Sequence, residues 1–295
     1  MKYCKNEITA FVSSNVAESE TLWLVTDLYN TGDERRDGHY IYAYAGLDGT
    51  NSALSPSNEP TKWLQQRPTN YWAMLDGKTK TQTTRADNIT VEISTNNYDT
   101  FSLLEVEATS VILTLTVDAV VVWTNTYALK DESGVIDFYT YCFSDFIYKP
   151  SLYVDTIPLY GTGTLKIEII NTESAAKCGR LVYGRSYYVG KTLYTASLGL
   201  ESYSVKQTDI FGTETLIHRG AVNLDNYKVN ILTSQIELLR RKAVEYDAIP
   251  LLFIMDESDT TNTGHLLNYG YYQNMSVLLS NPRKSTISLT VKGIL

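Results

Sequence analysis

The chain has 295 residues, 43% hydrophobic and 20% charged, which is enough to bury two or three sizeable cores and excludes a disordered tail. A net charge of −8 argues against duplex nucleic acid as the main partner, because phosphate binding needs a basic patch. Three cysteines, Cys4, Cys142 and Cys178, lie far apart at no metal-ligand spacing, so neither a disulfide framework nor a zinc site is expected.

Residues 1–7 (MKYCKNE) lack the apolar stretch of a signal peptide. Residues 111–123 form the longest apolar candidate, and Thr114, Thr116 and Asp118 interrupt it, so no membrane span is expected. On these grounds the protein should be made and kept in the cytosol, or leave it by cell lysis. Tyrosine is over-used, 23 residues against 7 phenylalanines, and such stiff, water-tolerant rings suit half-buried strand faces and interfaces.

Residues 20–66 carry Trp23, Tyr29, Gly32-Asp33, Tyr40, Tyr42, Tyr44 and Gly49, a polar loop over 51–59, and then Trp63. The segment is too short for a large core, and its spaced rings predict a small aromatic-stapled β-module, assigned with the N-terminal segment to residues 1–66. Residues 63–77 (WLQQRPTNYWAMLDG) crowd rings around Pro68 and Asn70, which suits a tight connection docking rings into a sandwich edge. A Thr-rich run over 80–93 follows and reads as strand.

Strands are then predicted at 90–93, 109–117, 119–123, 138–143 and 164–170, separated by turns at 95–97, 131–134 and 161–163. Val111, Leu113, Leu115 and Val117 alternate with Ile112, Thr114 and Thr116, as in a sheet with one buried face. This spacing without helical periods predicts an antiparallel sandwich or jelly roll over 67–185. Beyond it, 187–194, 199–207 and 214–218 read as strands. One helix follows, capped by Ser234 with Glu237, with Ile236, Leu239 and Ala243 on its apolar stripe and the basic run Arg240-Arg241-Lys242 on its solvated face. Strands at 251–255, 266–279 and 286–291, with a loop at 256–264, complete an α+β unit over 186–295. The fold class is therefore mainly β, with a small β-module, an antiparallel β-sandwich and a C-terminal α+β domain with one main helix.

Three textures in this order resemble proteins from bacteriophage tails and prophage loci, in which a chitinase-type carbohydrate-binding-like module precedes a galactose-binding-like jelly roll and a C-terminal virion domain. The small-module pattern is met by Tyr29, Gly32-Asp33, Tyr42 with Tyr44, Gly49 to Asn51 with Pro60, and Trp63. The jelly-roll entry is met by Thr69-Asn70-Tyr71-Trp72-Ala73-Met74-Leu75-Asp76, with Leu75 in place of the family's Phe and Trp72 as an extra ring. The C-terminal match runs through Tyr183-Gly184, Val189-Gly190, Thr192, Tyr203-Ser204, Lys206, Asp209, Phe211-Gly212, Pro250, Tyr269-Gly270-Tyr271, Ser288-Leu289 and Gly293-Ile294-Leu295.

The resemblance implies a structural virion component at a tail tip, baseplate or fibre-attachment region, assembled in the host cytoplasm with other tail proteins as a symmetric homo-oligomeric ring. The alternative is a tail protein that binds host-surface glycan. Such modules stack sugars on exposed rings, which makes Tyr42, Tyr44, Trp63 and Trp72 the carbohydrate-binding candidates. The module rings are equally what so small a unit needs for its own core. Asp76, Asp87 and Asn88 offer oxygen atoms of the kind calcium takes but match no fixed motif, and they are read as turn residues, as is the acidic run 256–259. His39, His218 and His265 are isolated, and no nucleophile elbow, HExxH or P-loop accompanies them, so no enzyme activity, metal or cofactor is expected.

Overall fold

Eight antiparallel strands alternate between two sheets in the middle of the computed structural model, which describes residues 1–131, 136–143, 147–255, 267–279 and 281–295. In chain order they are Thr83–Arg85, Asn88–Ser94, Thr100–Glu107, Ser110–Val117, Val120–Ala128, Ser151–Val154, Thr164–Ile170 and Ala176–Gly184. Numbered in that order, one sheet reads 6-3-8-1 and the other 5-4-7-2, with Ser13–Ser14 added at the edge beside the second strand. Successive strands thus change sheets everywhere except at the hairpin between the fourth and fifth, which is jelly-roll connectivity.

Period-two patterning explains why these segments form this sandwich. Ile89, Val91 and Ile93, then Val111, Leu113 and Leu115, then Leu165, Ile167 and Ile169 point into one shared core with no exposure. Their neighbours Thr90, Glu92, Thr114, Lys166 and Glu168 lie on the outer face. Burying each such aliphatic side chain is worth roughly 1.5–3 kcal/mol. Val117 is only half-buried, because the ladder slips between Leu115 and Thr116 before the chain turns.

Asp118 and Ala119, at φ 48° and 64°, form the two-residue connection between Val117 and Val120. Both take the left-handed backbone that a primed hairpin turn requires. Alanine's Cβ resists that conformation by about 1 kcal/mol. Ala119→Gly should therefore raise the melting temperature by about 2–4 °C, as measured by calorimetry.

Residues 138–143, expected as strand, form the helix Phe138–Phe143 instead. Asp137 receives the Thr140 N–H at 2.7 Å and the Thr140 hydroxyl at 2.8 Å. This local cap outweighs the β-preference of the aromatic run. Of the expected turn at 131–134, residues 132–134 lie outside the described residues, as do the acidic run 256–259, the rest of the loop 256–264, and His265.

The C-terminal unit is built on an antiparallel sheet ordered Ser186–Tyr188, Lys2–Lys5, Leu251–Ile254, Leu267–Leu278, Lys284–Gly293, Ala221–Leu232 and Lys191–Thr192, with Leu200–Ser202 also on Ala221–Leu232. The chain's first strand therefore sits inside the last unit, pairing Tyr3 with Phe253 and with Tyr187. Residues 1–66 consequently do not form one unit. Residues 2–5 belong to the C-terminal sheet and 13–14 to the sandwich, because only there do their backbone groups find partners. The expected strand 187–194 is two short strands with Val189 and Gly190 between them.

Helix Ile236–Glu245 covers this sheet, with Ile236 and Leu239 packed on a core that includes Tyr3, Tyr227, Val229, Phe253 and Val291. Its capping box does not form. A 3₁₀ turn, Thr233–Gln235, absorbs Ser234, and Gln235 occupies the cap position with no side-chain bond. Arg241 pairs with Glu237 and Lys242 with Glu245, so carboxylates on the helix itself offset part of the basic run. Among the described residues no helix is long and apolar enough to cross a membrane.

Two small sheets make the N-terminal module: Glu34–Asp37, Tyr40–Tyr44 and Trp63–Pro68, and Leu28–Tyr29 with Thr50–Asn51. The sandwich meets the C-terminal sheet directly, where Leu104 and Val182 pack against Cys4, Leu252, Ile254, Leu267 and Tyr269.

Candidate functional site at the junction of three units

Three of the four candidate sugar platforms are buried. Trp63 is 1% exposed, and its ring meets Tyr29 at 5.0 Å and Tyr44 at 4.9 Å, both edge-on. Tyr42 completes this four-ring cluster. Polar tips are satisfied inside: Trp63 Nε1 donates to Ser52 Oγ at 3.1 Å, and the Tyr44 and Thr50 hydroxyls bond at 2.6 Å. Burial raises the pKa of the Tyr42 hydroxyl above its usual value. A ring closed on both faces has no surface to offer a pyranose, so the assignment of Tyr42, Tyr44 and Trp63 to sugar stacking is corrected to core packing.

Trp72 differs. The connection that carries it is pinned to the sandwich by Asn70, whose side chain accepts the Thr84 N–H and donates to the Thr84 carbonyl, both at 2.8 Å. Met74 is fully buried in the sandwich core, and Tyr71 packs beside it. Trp72 itself stays half-buried, between Phe11 at 6.1 Å and the His39 ring at 3.7 Å. His39 is placed by the tight turn after Asp37, and its carbonyl accepts the Thr69 N–H at 2.9 Å. Module and connection are thereby held together.

Beside Trp72 opens a cleft of about 320 Å³ where the module, the N-terminal segment and the sandwich converge. His39, Tyr40, Pro68, Trp72, Asp76 and Arg180 line it. Asp76 is committed locally, accepting the Lys78 N–H at 2.8 Å and the Thr81 hydroxyl at 2.6 Å. Arg180 is 5% exposed, and its Nε and Nη1 are buried with no hydrogen-bond partner among the described residues. Its guanidinium lies 5.2 Å from the centre of the Tyr269 ring. Burial raises the Tyr269 hydroxyl's pKa, and the adjacent guanidinium opposes that rise. A ring face cannot replace the hydrogen bonds that a buried guanidinium gives up with water.

Arg180 was missed at the sequence level. The available signal was one cation inside the otherwise apolar end of Ala176–Gly184. Burial pushes the Cys178 thiol up to about 12 and raises Cys4 further, so neither is a nucleophile at neutral pH. Asp87 occupies a left-handed turn position, whereas Asn88 opens the strand Asn88–Ser94 and accepts two bonds from Arg85, so the turn reading holds for Asp87 and not for Asn88. Among the described residues no three His, Cys, Asp or Glu side chains gather as a metal site. No protein-family model, curated protein or solved structure matches the chain.

Proposed function

We propose that this chain is a non-enzymatic structural component of a phage tail, holding neighbouring proteins together in repeated copies around the tail axis. The observation that carries this reading is the hairpin Val205–Thr208 and Glu214–Ile217. Among the described residues its strands pair only with each other, while Ile210 is 93% and Phe211 85% exposed at the tip. A lone two-stranded ribbon is marginal in water, and an apolar tip on it gains stability only when something covers it. The hairpin belongs to the unit whose Lys206, Asp209 and Phe211-Gly212 carry the tail-protein resemblance. The outer strand Val120–Ala128 adds a second exposed apolar edge at Val120 to Val122.

The test is assembly. Wild-type protein should form rings of defined copy number in light scattering, or co-assemble with tail proteins. Ile210→Ser combined with Phe211→Ser should leave a monomer of unchanged melting temperature. A wild type that stays monomeric and joins no tail complex would refute the reading.

One observation favours a second reading, host-surface glycan binding: Trp72 borders an open cleft, whereas the other three candidate rings are closed in.

A further inference from the structure

We propose that the outer strand Val120–Ala128 pairs antiparallel with the same strand of a second copy, about a two-fold axis at Asn125. The inference deepens the assembly reading by naming what that strand meets, and it rests on that reading for bringing many copies together. The strand closes one sheet of the sandwich, and among the described residues its far side pairs with nothing. It runs nine residues with no charge and no proline. The other sandwich edges are blunted, as exposed edges usually are. Thr83–Arg85 has three residues and ends on a cation, Ser151–Val154 has four and follows Pro150, and Ser13–Ser14 has two. Of these edges, Val120–Ala128 alone keeps a long bare row of backbone groups.

The occupant follows from the strand's own sequence. Trp123-Thr124-Asn125-Thr126-Tyr127 has the same pattern in both directions: ring, threonine, asparagine, threonine, ring. An antiparallel self-pair centred on Asn125 sets Trp123 across from Tyr127 and Thr124 across from Thr126, each twice. Ring pairs and threonine pairs are favourable cross-strand neighbours, and a patch that matches itself is what a two-fold contact requires. The backbone agrees. Leu129 donates its N–H to the Thr109 carbonyl on the paired side, so by alternation Thr124, Thr126 and Ala128 point theirs outward. Thr126 shows this directly, since its N–H goes to the Asn125 Oδ1 at 2.9 Å and not to the facing strand. Two Thr124–Thr126 pairs then exchange about four N–H···O bonds. The slip in the ladder falls between Val121 and Trp123, so it bounds this regular run instead of interrupting it. Such a contact is smaller than a lasting dimer needs, so the hairpin-tip variant still reads as a monomer in light scattering. Copies arrayed around an axis make several of these contacts at once, which together join two arrays stably.

Covalent capture tests this on the full chain carrying Cys142→Ser, under mild oxidation. Asn125→Cys should yield a disulfide-linked dimer, because residues on the axis face each other at about 4.5 Å between Cα atoms, within disulfide reach. Ser57→Cys, exposed on the small module, reports random encounters and should give little. Thr126→Pro removes two of the outward bonds and none to the facing strand, so it should keep the melting temperature while lowering Asn125→Cys capture about 10-fold. If Thr126→Pro does not fold, Thr124→Lys with Thr126→Lys crowds like charges across the axis and should abolish capture. Repeating the capture in the Ile210→Ser, Phe211→Ser background separates the two readings, and capture is expected to survive there while rings are lost. Rings formed without capture above the Ser57→Cys level would overturn the inference and leave the assembly reading intact. Capture from a wild type that forms no ring and joins no tail complex would keep the pairing and remove the assembly reading. Absence of both would remove both. Capture undiminished by Thr126→Pro or by the paired lysines would also overturn the inference.

Discussion

Replacing Trp63 with alanine is expected to unfold the small N-terminal module while the sandwich and the C-terminal sheet stay folded. The module's core is four rings, Tyr29, Tyr42, Tyr44 and Trp63, with Trp23 and Tyr40 packed on its margin. Trp63 is the largest of them and touches two others edge-on. Its indole also anchors Ser52, whose hydroxyl bonds Glu59 and the Leu54 carbonyl at 2.7 Å each, so the polar loop depends on it as well. Truncating a buried tryptophan costs about 3–5 kcal/mol, comparable with the whole stability of a small unit. Trp63→Phe keeps a ring but loses the Ser52 bond, and should cost about 1–2 kcal/mol. Hydrogen exchange decides between local and global effects. In the alanine variant, amides of 28–68 should lose protection while those of 88–117 keep theirs. Uniform loss across the chain would show that the module is not a separate cooperative unit. Unchanged protection would show that its core lies elsewhere.

That outcome bears on what the sequence could disclose. The sandwich was legible because Ile89 to Ile93, Val111 to Leu115 and Leu165 to Ile169 alternate with polar residues, and period two with one buried face has few other solutions. The helix Ile236–Glu245 was legible from its apolar stripe, but not its cap, since Ser234 satisfies the capping pattern and is then absorbed by a 3₁₀ turn. Phe138–Phe143 misled because a helix of six residues is decided by one cap at Asp137, not by the propensity of the run. The placement of Lys2–Lys5 left no local mark at all. Its partners are nearly the length of the chain away, and pairing at that range is written in no short window. The site divides in the same way. Trp72 showed itself as an extra ring in a turn-rich connection. Arg180 showed only as a cation in a strand, and its meaning depends on three units meeting around it. Tyr42, Tyr44 and Trp63 carried two readings, platform or core, and only burial separates them.

Gly270→Ala should produce the largest loss of stability in the C-terminal unit. Gly270 lies in an interior strand, paired with Leu251 on one side and Gly293 on the other. A Cβ there would stand 1.9 Å from the Lys292 carbonyl oxygen, 2.7 Å from its carbon and 2.8 Å from the Gly293 Cα. All three are backbone atoms, so no side-chain rotamer can relieve the clash, and the strands themselves must part. Overpacking typically costs about 1–3 kcal/mol, and a backbone-to-backbone clash belongs at or beyond the upper end. The same sheet holds the chain's first strand and joins the sandwich through Leu252, Ile254 and Tyr269, so its loosening should also loosen that junction. Gly212→Ala serves as the comparison. Gly212 sits at φ 81° with open space around it, so its cost is only the left-handed backbone, about 1 kcal/mol. Urea unfolding of the two variants should therefore separate clearly, with Gly270→Ala losing at least about three times as much. Equal midpoints would mean that the two strands do not approach as closely as the Gly270–Gly293 pairing requires.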